Sequence, residues 1–289
     1  MSDFVRQNAV ATDFSTSDSW VILSPIEQSI KRKIEEIGTP LKDWDIQINY
    51  GIKTGYNEAF IITTEKRNEI LSNCADVDER KRTDALIRPI LRGRDIKRYG
   101  YDWANLWLIN THNGIKGKLN RIHIEDYPAI KAHLDQYWDK ISTRADKGDT
   151  PYNLRNCAYL DDFNKPKAMW KIIGSNICFS FDFNSMYCNN AVNIITGDPD
   201  HLLQFVGLMN SKLFEWYLKI SNEAPIADER VQLYVTTLEK TLLKLDFPND
   251  FSNIIRNRIN GTATDTDVNN AVYQVYDLSD EEIGYIESI

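Results

Sequence analysis

The sequence predicts an α+β protein: a mixed β-sheet core flanked by helices, with a helical C-terminal part. Three observations carry this. Apolar runs of strand length concentrate between residues 44 and 196. Stripes at helical spacing lie before, between and after them. Clusters of Gly, Pro, Asn and Asp separate the two kinds of segment.

The elements follow in order. Ser24-Pro25-Ile26-Glu27 offers a serine cap, proline at the first helical position and glutamate at the third. Ile26, Ile30, Ile34 and Ile37 give the helical stripe, and Gly38-Thr39-Pro40 ends it. Trp44, Ile46, Ile48 and Tyr50 alternate as in a strand, and a second strand is expected at 59–63, forming a strand–loop–strand unit. Residues 83–91 read as a short helix running into a loop at Pro89, 106–110 as a strand, and 126–142 as one amphipathic helix. Strands are expected at 168–173, 177–181 and 191–196, and one long helix at 200–220. Helices or helical turns follow at 229–245, 249–260, 265–277 and 279–288.

With 42% hydrophobic residues, the 289-residue chain can build a core, which excludes a disordered or collagen-like protein. Cys74, Cys157, Cys178 and Cys188 form no CxxC pair, so a reduced, cytoplasmic compartment is expected rather than a disulfide scaffold. No secretory pattern opens the chain, and no stretch approaches ~18 uninterrupted apolar residues, so no membrane partner is expected.

Charge is segregated. Residues 1–221 hold 29 basic and 29 acidic residues, so the net charge of −8 resides in residues 222–289. Between Arg80 and Arg98 the local sum is +6. Such a face suits phosphate despite the acidic total, because screening confines attraction to roughly 8 Å in physiological salt. A basic but merely solvated face is the other reading.

Several chemistries are absent. There is no GxGxxG and no GxxxxGK[ST], and His112, His123, His133 and His201 are scattered without metal-ligand spacing. Neither a cofactor site nor a metal site is therefore expected. Asp84, Asp95 and Lys97 offer half of a magnesium-nuclease pattern, leaving a stand-alone nuclease as one alternative. Without a Pro-Pro dipeptide or a glycine-rich methyl-donor turn, the chain is not a complete adenine methyltransferase.

The informative segment is Gly51-Ile-Lys53-Thr54-Gly55-Tyr56-Asn57-Glu58-Ala59-Phe60. Two glycines allow a tight turn and close backbone approach. Lys53 brings charge, Thr54 and Asn57 bring hydrogen-bonding groups, and Tyr56 brings a flat face. Such a loop suits phosphate or base edges, or serves as a plain hairpin connection.

This loop is joined by Leu86-Ile-Arg-Pro-Ile-Leu-Arg-Gly-Arg-Asp-Ile-Lys-Arg-Tyr99, Thr150-Pro-Tyr-Asn-Leu-Arg-Asn-Cys-Ala-Tyr159, Phe163-Asn-Lys-Pro-Lys-Ala-Met-Trp170 and Gly207-Leu-Met-Asn-Ser-Lys-Leu213. In this order and spacing, the five stretches resemble the TaqI-like C-terminal specificity domain. That domain is the target-recognition module of adenine-specific DNA methyltransferases and type IIG restriction–modification enzymes. Residues 1–19, polar and Ser/Thr/Asp-rich, read as a loose lead-in; the resemblance implies a DNA target-recognition domain at 20–245, and an acidic helical extension follows at 246–289. It implies double-stranded DNA as one partner and a methyltransferase domain or subunit as another. S-adenosylmethionine would belong to that methyltransferase. The chain would be a C-terminal fragment or a separate specificity subunit; a protein-interaction module of a phage-defence system is a further alternative.

Carried over residue by residue, the resemblance puts Lys53, Thr54 and Asn57 on the DNA-facing loop. Arg92, Arg94, Lys97 and Arg98 form the electrostatic face, and Tyr152 and Arg155 stack or bridge to phosphate. Asp95 either holds Arg94 or Arg98 in a fixed pose or balances charge locally.

Overall fold

The computed structural model describes residues 23–174, 176, 178–220, 226–227, 230–245 and 247–289. The expected lead-in at 1–19 lies outside them. The fold is α+β, and the chain divides into two compact units.

The unit that carries the candidate site comprises Gln47–Ile172 and Phe179–Thr196. Its first sheet orders the strands Ile46–Tyr50, Val192–Gly197, Lys167–Lys171 and Phe179–Asp182. Lys167 lies opposite Asp182, and Trp170 opposite Phe179, in antiparallel register. All four residues of Phe179–Asp182 are buried, so this strand is covered on both faces. A second sheet orders Ile61–Thr63, Leu106–Ile109, Ile87–Leu91 and Tyr187–Cys188. The helices Thr64–Ser72, Val77–Leu86 and Pro128–Asp135 accompany it. Phe60, Leu91, Leu108, Ile130, Phe163, Met169 and Ile194 belong to one buried cluster.

Three expectations are corrected here. The segments at 44–50 and 59–63 do not pair. Ile46–Tyr50 adjoins Val192–Gly197, while Ile61–Thr63 pairs with Leu106–Ile109 in the other sheet. Residues 83–91 are not a helix fading into a loop: Val77–Leu86 is a helix, and Ile87–Leu91 is a strand containing Pro89. The parallel partner of that strand meets only Ile90 and Leu91, so Pro89 lies beyond its end and its missing N–H breaks no bond there. Residues 126–142 form two helices, Pro128–Asp135 and Trp138–Ile141, because the chain tightens at Gln136 and Tyr137 into bonds back to His133 and Leu134.

The other unit comprises the described residues within Met1–Ile46, Ile173–Cys178 and Gly197–Ile289. The helix Pro25–Ile37 begins as expected, with a capping box between Ser24 and Glu27. The helix expected at 200–220 is two, Pro199–Met209 and Lys212–Ile220. Ser211 divides them: its hydroxyl donates to the Leu208 carbonyl at 2.6 Å and accepts from the Phe214 amide at 3.3 Å. Within 229–245 the described residues form Arg230–Gln232 and Leu242–Leu243 strands around a short Val235–Leu238 helix. The three last helices, Asn249–Ile259, Asp265–Val275 and Asp280–Ser288, fall within the expected segments 249–260, 265–277 and 279–288, and the last two open on capping boxes at Thr264 and Ser279. Glu282 joins the last helix to the first described one: it accepts from Ser29 at 2.8 Å and pairs with Lys33 at 2.7 Å. Among the described residues, no helix is long and apolar enough to cross a membrane.

Candidate nucleic-acid interface

The loop from Gly51 is built by close backbone approach. A Cβ at Gly51 would lie 2.0 Å from the Asn189 carbonyl oxygen, so only glycine fits. Gly55 has φ +69, and its Cβ would meet the Asp146 carbonyl oxygen at 2.7 Å. Between them Thr54 turns inward and donates to Asn57 Oδ1 at 2.6 Å, which closes the loop on itself. Lys53 and Asn57 are exposed on either side of this closure. Ala59 and Phe60 then anchor the loop in the core.

A buried arginine, Arg144, fastens the next segment alongside. Its guanidinium lies 4.2 Å above the Phe60 ring and donates to the carbonyls of Asp146 and Asn153 at 3.1 and 2.5 Å. Burial pushes its pKa down to about 10. Asp146 in turn accepts from Arg155 at 2.9 Å. Lys53 and Arg155 line one groove of about 510 Å³ with Tyr50 and Tyr159. On the other side Lys53, Asn57, Glu58, Asp146 and Asn190 line a cleft of about 390 Å³. Lys53 is therefore shared by two adjoining depressions.

The basic turn sits at the end of Ile87–Leu91. Asp95 accepts from Arg92 three times: from Nε at 3.1 Å, Nη2 at 2.8 Å and the backbone amide at 2.8 Å. This pairing raises the Arg92 pKa above its ordinary value. Asp95 holds Arg92, so the pose expected for Arg94 or Arg98 belongs to their neighbour. Arg94 is exposed, with no ion pair among the described residues. Lys97 reaches Asp102 at 3.7 Å, and Arg98 stands over the Tyr99 ring at 5.9 Å.

One turn connects the two basic elements. The Ile52 amide donates to the Cys188 carbonyl at 2.7 Å, and the Gly51 amide to the Val192 carbonyl at 2.9 Å. The Asn189 amide donates to the Leu91 carbonyl at 2.9 Å, and a Cβ at Gly93 would stand 3.3 Å from Ala191 Cβ. Residues 188–192 thus bind the lysine loop on one side and the arginine turn on the other. These residues, with Arg144 and Asp146, are the ones sequence reasoning missed. The Asn189-Asn190 dipeptide between two apolar strands was the available signal.

The family profile of the TaqI-like C-terminal specificity domain matches residues 88–242, more than half of the chain. The chain belongs to this family. The fold of the specificity domain is also that of two solved enzymes. MmeI, a type IIL restriction–modification enzyme whose structure contains DNA, aligns with a TM-score of 0.55 at 14% identity, over 86% of this chain and 35% of its own. BpuSI, a type IIG restriction endonuclease, aligns with a TM-score of 0.51 at 11% identity, over 82% of this chain and 28% of its own. The chain thus spans about a third of the length of these enzymes. Comparison with curated proteins gives no significant match.

The remaining site expectations fall as follows. In this specificity domain Tyr152 donates its hydroxyl to Asp135 at 2.6 Å, and its ring packs 5.4 Å from Trp138. Its ring face carries Lys131 at 5.3 Å. The nuclease carboxylates do not converge on a common point: Asp84 is paired with Arg67, and Asp95 with Arg92.

Proposed function

We propose that this chain binds duplex DNA and reads a short sequence. It thereby positions a target adenine for flipping into a methyltransferase carried outside these residues. S-adenosylmethionine would be held by that methyltransferase. Family membership supports this reading, as does the likeness of fold to MmeI, which was solved with DNA. The observation that carries it is the common fastening of Lys53 and the Arg92–Arg98 segment to residues 188–192. Uncancelled charge at Lys53 and Arg94 would grip phosphates and set register, with Lys97 beside Asp102 adding to the basic face, while directional groups beside them would read base edges.

A titration of duplex DNA at ~50 and ~200 mM salt tests it. Affinity should fall steeply with salt, and Lys53→Ala and Arg94→Ala should each reduce the logarithmic salt slope by about 0.9. Absence of duplex binding, or binding indifferent to salt, refutes the reading.

A further inference from the structure

Asp95 grips only one edge of the Arg92 guanidinium. Nε and one hydrogen of Nη2 are engaged. Nη1 has no partner among the described residues and is not buried. The Asp95 side chain is only 5% exposed, and its carbonyl accepts from the Asp102 amide at 2.8 Å. The main chain of Asp95 is therefore held by Asp102, while its buried carboxylate is held by the Arg92 amide at 2.8 Å as well as by the guanidinium. Because the guanidinium is planar and rigid, fixing one edge also fixes the direction of the opposite edge.

The same contact cancels the charge. A polyanionic backbone gains most from uncompensated cations, and Arg94 is one within two residues of Arg92. Arg92, neutralised by a carboxylate 2.8 Å away, attracts phosphate weakly at long range. What it retains is geometry: two parallel N–H donors aimed in one direction. Among base edges in the major groove, guanine alone presents the matching pair of acceptors, O6 and N7.

We propose that Arg92, buttressed by Asp95, reads a guanine within the recognised sequence. The inference rests on the duplex-reading function proposed above and assigns one of its specificity contacts.

The test is enrichment from a randomised duplex pool by the full 289-residue chain, compared between wild type and the double variant Arg92→Gln/Asp95→Asn. That variant exchanges one net-neutral pair for another. Its preference for guanine at a single position should drop about 10- to 100-fold, with preferences elsewhere and the salt slope unchanged. A uniform loss of affinity with a slope lower by about 0.9 would make Arg92 a phosphate contact and overturn the inference. An unaltered sequence preference overturns it too, leaving the pair a purely local clamp. If the double variant unfolds, Arg92→Lys decides. It keeps a cation beside Asp95 but lacks the second edge, so it must lose the same guanine preference. Wild type that binds no duplex refutes the broader reading itself, whereas wild type that enriches a sequence lacking an Arg92-dependent guanine refutes only this assignment.

Discussion

Lys167 and Asp182 face each other across neighbouring strands, Nζ to Oδ2 2.5 Å, with both side chains completely buried. Lys167 also donates to the Phe163 carbonyl at 2.8 Å. Asp182 accepts from the Tyr101 hydroxyl at 2.9 Å and from the amides of Asn184 and Met186 at 2.9 and 2.8 Å. The pair is thus fully hydrogen-bonded, which offsets its desolvation.

Removing one partner strands the other charge. Asp182→Ala should cost about 3–5 kcal/mol in urea unfolding, and Lys167→Met should cost a similar amount. The double variant Lys167→Met/Asp182→Leu should be more stable than either single one, because no buried charge is left uncompensated. Additive losses in the double variant would contradict this account.

Gly207 marks where the helices Pro199–Met209 and Asn249–Ile259 touch. A Cβ there would lie 2.3 Å from Ile255 Cδ1 and 3.0 Å from the Phe251 ring. Alanine inside a helix ordinarily gains about 1 kcal/mol over glycine. Here overpacking should dominate, and Gly207→Ala should lower stability by about 1–3 kcal/mol. Adding Ile255→Val, which removes the offending methyl, should recover part of the loss in thermal unfolding.

At Gly51 the obstacle is backbone, so no side-chain shift relieves it. Gly51→Ala must push the lysine loop away from Asn189. Duplex affinity should fall at every sequence, by at least as much as with Lys53→Ala, while the helical circular dichroism signal stays near wild type. Gly55→Ala adds left-handed strain of about 1–2 kcal/mol and should act in the same direction.

Acid should loosen the junction of the first and last described helices. Burial alone would raise the Glu282 carboxyl. Hydrogen bonds from Lys33, the Ser279 amide and Ser29 outweigh it and leave the pKa below the ordinary 4.5. A depressed folded pKa means stability is present above about pH 4.5 and is lost as pH falls through the lower, folded value. Unfolding free energy should therefore decline below about pH 4.5, and Glu282→Gln should be less stable at neutral pH with a shallower decline. Parallel acid profiles for the two proteins would count against it.

Local signals in the sequence carried the α+β class, the Ser24 capping box and the three final helices, because caps and apolar periods are short-range. Pairing was not legible. Nothing near Ile46–Tyr50 indicates that its neighbour is Val192–Gly197, since that choice is made by the shared core. The break at Ser211 was hidden because the apolar period continues through it. At the site, the position of Asp95 among several arginines made an arginine–carboxylate pair readable in kind, but the partner is Arg92 rather than the expected Arg94 or Arg98. The inward turn of Thr54 and the engagement of Tyr152 by Asp135 depend on neighbours that only tertiary structure supplies.

The bonds made by Cys188–Val192 have a practical corollary for altering what this domain recognises. Lengthening or shortening that pentapeptide displaces Lys53 and Arg92 simultaneously, since the residue before each, Ile52 and Leu91, is tethered to it through main-chain atoms. Transplanting either basic segment alone into a homologous scaffold would leave unmatched amide donors and carbonyl acceptors at the seam. The exchangeable cassette consists of three stretches, 51–57, 91–98 and 188–192, moved together.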